Sequence, residues 1–138
     1  MVPHPNVLLI TGDQDPEGLH IVLREAQEHL RDRLAICPLM FRISRTGLEP
    51  WTPELSPADR KEYEGLVLDT LDRDYALQQR LLWLQQHKLP GEDQLFIASY
   101  GQLAKGRPDG LRTACAWTKD GPSLLPKTDA IAFITGAK

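Results

Sequence analysis

The chain has little of several things, and each shortage sets a class of protein aside. Only two cysteines, Cys37 and Cys115, occur in 138 residues, and neither has a second Cys or a His at metal-ligand spacing. That argues against a disulfide-stapled scaffold and a cysteine-ligated zinc site. Both sit inside apolar runs, so two buried free thiols are expected, in keeping with a reducing compartment. No run approaches the roughly 20 apolar residues that span a membrane. The start, Met1-Val2-Pro3-His4-Pro5, has neither the basic nor the apolar stretch of a secretory signal. A cytoplasmic protein without a membrane partner is therefore expected. Basic charge is not in excess: 16 Lys and Arg stand against 19 Asp and Glu, for a net charge of −3. Nucleic-acid binding gets no support from bulk charge and would need a local basic patch. Also missing are a nucleophile elbow, a phosphate-binding loop, a dinucleotide fingerprint and a C-x-x-C pair. Ser99 is followed by Tyr100-Gly101, but no His or acid can be named as its partner.

What remains is ordinary globular composition, with 41% hydrophobic and 25% charged residues. Such a chain is the length of one domain, and residues 1–138 are read as one. A chain this long buries roughly two-thirds of its unfolded surface, enough for a core.

Residues 6–11 (NVLLIT) form a continuous apolar run that suits a strand covered on both faces. A loop follows in which Asp15 is the expected helix N-cap, Pro16 the first helical residue and Glu17 the acid of the first turn. Leu19, Val22, Leu23, Ala26, Leu30 and Leu34 then fall at helical spacing and predict a helix to about Leu34. Residues 36–44 (ICPLMFRIS) read as a second strand, with Pro38 marking an irregular entry or an edge. The opening is thus β-α-β. Residues 45–57 read as a loop. Ser56-Pro57-Ala58-Asp59 is a capped helix start. The helical region continues to about His87, as two helices or one bent helix, with Leu77, Leu81 and Leu84 as the later stripe. Residues 94–99, 112–118 and 129–135 are the remaining strand candidates, the last two pairing antiparallel through a longer connection. Turns are expected at 106–110 and 119–122. The class is α/β, with α+β as the alternative: a mixed sheet of about five strands flanked by helices.

The loop after the first apolar run carries the most chemistry. Asp13, Asp15 and Glu17 alternate along it, and alternate acids can place carboxylate oxygens around a hard cation such as Mg²⁺. An apolar strand ending in D-x-D-x-E-G and leading into a helix resembles the acidic signature of the Toprim (topoisomerase–primase) fold. Asp13, Asp15, Glu17 and Gly18 match it, with Ile21 as the following apolar position. The resemblance implies magnesium bound by Asp13, Asp15 and Glu17 and phosphate or nucleic-acid chemistry. It covers about a dozen residues, and the family's upstream catalytic Glu has no counterpart, because no acid precedes residue 6. The haloacid-dehalogenase-like phosphatases also begin with strand-D-x-D, and Ser44 or Thr46 would stand for their second motif. The Thr expected after the second Asp and a closing Asp-Asp pair are absent.

A purely local account competes with the metal. Asp15 capping and Glu17 facing the helix dipole would together stabilise the helix by roughly 1 kcal/mol. That leaves Asp13 over. The histidines His4, His20, His29 and His87 are not at ligand spacing. Trp51, Trp83 and Trp117 suit a core or an interface, and Leu124 and Leu125 lie between turn residues.

With no complete catalytic constellation, the expectation is a non-catalytic binding or accessory module that requires no cofactor. It would act through a protein partner or as a homodimer, using an exposed strand or the last segment. The alternative is a Mg²⁺-dependent phosphate- or nucleic-acid-directed domain using Asp13, Asp15 and Glu17. A third reading is a small-molecule pocket lined by Asp13, Ser44 and Thr46.

Overall fold

A computed structural model describes residues 1–91, 94–103, 110–118 and 121–134. Contacts divide the chain into two compact units, Met1–Thr70 and Leu71–Lys138. Helices and strands in small sheets make this an α/β or α+β protein. Among the described residues no helix is long and apolar enough to cross a membrane.

The first unit is built on helix α1, Pro16–His29. The Asp15 side chain caps it, accepting from Gly18 N at 2.9 Å, with Pro16 leading and Glu17 in the first turn. Leu19, Val22, Leu23 and Ala26 bury the apolar stripe against Met1, Met40 and Leu66. Leu23 is fully buried, and burying such a side chain stabilises by about 1.5–3 kcal/mol. The helix stops short of Leu34 because Asp32 competes for the backbone. Its carboxylate accepts Leu34 N at 2.7 Å, and its carbonyl accepts Ala35 N at 3.1 Å. Leu34 is left exposed.

Residues 6–11 do not join a sheet as the β-α-β reading expected. The preceding residues fold back along them instead. Val7 bridges His4, and Leu9 exchanges two backbone hydrogen bonds of 3.0 Å with Met1. The second expected strand forms a ladder only over β1, Phe41–Ser44, beyond Pro38. Its partner is β2, Gly47–Pro50, antiparallel across the two-residue loop Arg45-Thr46. This hairpin lies where a loop was expected. Gly47, at φ 130°, supplies a backbone conformation that L side chains rarely adopt.

Helix α2, Pro57–Gln86, is one continuous helix rather than two. Ser56 and Asp59 close its start: Ser56 Oγ accepts Asp59 N at 3.1 Å and donates to Asp59 Oδ2 at 2.6 Å. Its Leu66 completes the first unit's core.

The second unit holds the later turns of α2 and five short strands. These are β3 (Phe96–Ile97), β4 (Tyr100–Gln102), β5 (Thr113–Thr118), β6 (Ser123–Leu124) and β7 (Ala130–Ile134). No five-stranded sheet forms among the described residues. Strands β3 and β6 pair by themselves, and β4-β5-β7 make a separate three-stranded sheet. That sheet is mixed, with β4 antiparallel and β7 parallel to β5. The antiparallel pairing expected for the last two strands is thus corrected. The connection from β5 is long enough to carry β6 and return to the same end, as parallel pairing needs. Asp129 fixes the register. Its Oδ2 accepts Arg112 N and Thr113 N, each at 3.0 Å, and Thr113 Oγ1 at 2.9 Å. Of the turns expected at 106–110 and 119–122, residues 106–109 and 119–120 lie outside the described residues.

Candidate functional site

The acidic loop is tied into the start of α1. Asp15 Oδ1 holds Gly18 N, and Oδ2 accepts Thr11 Oγ1 at 3.1 Å. Gly18 is required there. A Cβ on it would overlap Thr11 Oγ1 and the Asp15 carboxylate. The residue that matched the acidic signature last therefore has a steric role in the cap. Glu17 is exposed in the first turn. Asp13 is exposed and stands on a cavity wall. Among the described residues, no three His, Cys, Asp or Glu side chains are arranged to hold a metal ion.

That cavity, about 500 Å³ in volume, belongs to the first unit. Leu8, Ile10 and Asp13 line it together with Phe41 and Ile43 of β1 and Leu48 of β2. Leu19, Val22 and Met40 line it from the core. Its walls are mostly apolar, and Ile10 and Ile43 are 71% and 74% exposed. Of the small-molecule pocket expected from the sequence, Asp13 is present on the lining. Ser44 and Thr46 are engaged with each other at 2.8 Å and with Glu49, each at 2.9 Å. Those two hydroxyls hold the Glu49 carboxyl below its ordinary range, Ser44 first. The signal the sequence offered for this wall was the continuous apolar run of residues 6–11; that Leu8 and Ile10 are exposed while Leu9 and Thr11 are half-buried appears only in the structure.

The second unit exposes a different apolar surface. Strand β7 reads AIAFI, and four of its five residues are exposed, Phe133 at 66%. Trp117 on β5 lies against Phe133, ring centroids 5.0 Å apart. Leu124 and Leu125 are also exposed. On α2, the expected stripe of Leu77, Leu81 and Leu84 is present but exposed, as is Trp83. Trp51, by contrast, is packed against the first unit's core.

The remaining polar candidates have local partners. His20 Nδ1 meets Asp59 Oδ1 at 2.7 Å. Ser56 and then His20 hold that carboxyl below its usual range. His4 lies 3.9 Å from Asp32 and its ring is 6.2 Å from that of His29. His87 is edge-on to Trp83. Ser99 Oγ accepts Gln79 Nε2 at 2.9 Å. Cys37 is half-buried and Cys115 buried, both as free thiols. Comparison with known protein families, with curated proteins and with solved structures found no match.

Proposed function

We propose that the chain is a non-catalytic binding or accessory module that acts through protein–protein contact, with self-association through β7 as its mode. The observation that carries the reading is β7 itself. It is an apolar strand paired on one side only, with β5, among the described residues. Strands that must stay at a sheet edge usually carry a charge, a proline or a bulge, because a bare edge templates pairing with another chain. Ala130–Ile134 carries no charge and no proline. Two copies pairing β7 antiparallel about a two-fold axis would satisfy both edges with one self-complementary contact. Phe133, Ile131 and Ile134 would supply the apolar area.

Hydrogen–deuterium exchange tests this reading. Amides of β7 should become more protected as protein concentration rises, while those of α1 stay constant. Protection of β7 that does not change with concentration would count against it.

A further inference from the structure

The three-stranded sheet of the second unit leaves part of its core side open. Residues directly opposite one another in neighbouring strands point to the same face. Tyr100 on β4 is opposite Cys115 on β5, and Cys115 is opposite Ile131 on β7. Trp117 is likewise opposite Phe133, and their rings touch. These side chains therefore share one face. It is the face on which α2 packs, because the Tyr75 ring stacks on that of Tyr100 at 4.9 Å. In the middle strand Cys115 is buried, yet Ile131 beside it is 46% exposed and Phe133 66%. The apolar layer thus runs out at β7 on the core side, where an edge strand ordinarily finds its cover.

Symmetry limits how a second copy can continue that layer. Two identical strands paired antiparallel in one sheet are related by a two-fold axis perpendicular to it. Such an axis keeps both core faces on the same side and sets one residue opposite its own copy. With the axis at Ile131, the exposed Asp129 would lie opposite Phe133, putting a carboxylate into the apolar layer. With the axis at Phe133, Ala130 and Ile131 would be paired beyond the last residue of β7. With the axis at Ala132, all five residues of β7 pair and none is charged.

Resting on the self-association through β7 proposed above, we infer that the two-fold axis passes through Ala132, so that Ile131 of each copy lies opposite Phe133 of the other. The bulky pair then falls on the core face of both copies. Ile131 and Phe133 gain a neighbouring apolar column on their open side, to match Cys115 and Trp117 on the other. On the opposite face Ala132 meets itself and Ala130 meets Ile134. The segment matches its own reverse, with bulk opposite bulk on the core side and no charge along it, and this singles out a second copy as the occupant of the edge.

The test uses the full chain with Ile131→Lys or Phe133→Glu, at the concentration where the parent is half dimeric. Light scattering should find each variant monomeric alone, with the far-UV circular dichroism of the parent. An equimolar mixture should regain the dimer. The lysine of one variant then lies opposite the glutamate of the other, while the native Phe133 and Ile131 pair at the second position. Added salt should weaken that recovery more than it weakens the parent dimer. A second measurement needs no variant: in a mixture of isotope-labelled and unlabelled parent, Ile131 methyls of one copy should show nuclear Overhauser contacts to the Phe133 ring of the other. A mixture no more dimeric than its components, or contacts that instead join Phe133 to Phe133 or to Asp129, would overturn the register and leave self-association through β7 standing. A parent that never dimerises would remove both.

Discussion

Thr11 Oγ1 donates to Asp15 Oδ2 at 3.1 Å, while the other oxygen of the same carboxylate holds Gly18 N at 2.9 Å. Asp15 thus caps the helix as expected. Replacing Asp15 by Ala should lower stability by about 1 kcal/mol, as N-cap removal generally does, and Asp15→Asn should cost less. Thermal denaturation with and without Mg²⁺ measures both effects. The proposed function expects the same loss under both conditions. A melting temperature that rises with Mg²⁺ in the parent and not in Asp15→Asn would favour the metal reading instead.

Gly18→Ala inverts the usual rule. In a helix interior, alanine is favoured over glycine by about 1 kcal/mol. Here the new Cβ would overlap Thr11 Oγ1 and the Asp15 carboxylate, so destabilisation is expected. In a Thr11→Ala, Asp15→Ala background the same change should become neutral or stabilising. Chemical denaturation of the four proteins gives the cycle. Additive effects would contradict the steric account.

Asp129 ties stability of the second unit to pH. Backbone N–H of Arg112, then the hydroxyl of Thr113, hold its carboxyl below the ordinary range. A depressed folded-state value means that the stabilisation is present above the unfolded carboxylate pKa. It is lost as pH falls through the lower folded value. Asp129→Asn should therefore be less stable than the parent near neutrality, with the gap narrowing in acid. Melting temperatures from neutrality down to acid pH read this directly.

The core of the first unit gives a larger effect. Leu23 is fully buried among Leu19, Met40 and Leu66, and Leu23→Ala should cost about 2–5 kcal/mol. Denaturant unfolding measures it. A loss below about 1 kcal/mol would mean that this core does not carry the unit's stability.

Both helix starts were legible because local chemistry sets them: Asp15-Pro16-Glu17 and Ser56-Pro57-Ala58-Asp59 cap where they were expected to. The class and the mixed character of one sheet were legible as well. Strand pairing was not, because an apolar run specifies burial and leaves its partner open. Residues 6–11 form a strand-like continuous apolar run yet are held by Met1 and His4. The β1–β2 hairpin turns on Arg45-Thr46, which lacks the Asn-Gly signature of such loops. The end of α1 depended on one carboxylate, Asp32, whose competition with the helix no periodicity reveals. At the candidate site, the sequence drew attention to Asp13, Asp15 and Glu17. The cavity beside Asp13 is lined by Leu8, Ile10, Phe41 and Ile43, which two apolar runs bring together and no motif marks.

The central claim is that this chain works through an exposed strand, and light scattering coupled to size-exclusion chromatography tests it most directly. The parent should move from monomer toward dimer as its concentration is raised into the millimolar range. Phe133→Glu, which places a charge on an exposed position of β7 and gives up the ring contact with Trp117, should remain monomeric while keeping the parent's far-UV circular dichroism. A parent that stays strictly monomeric throughout, or a Phe133→Glu variant that dimerises as the parent does, would contradict it.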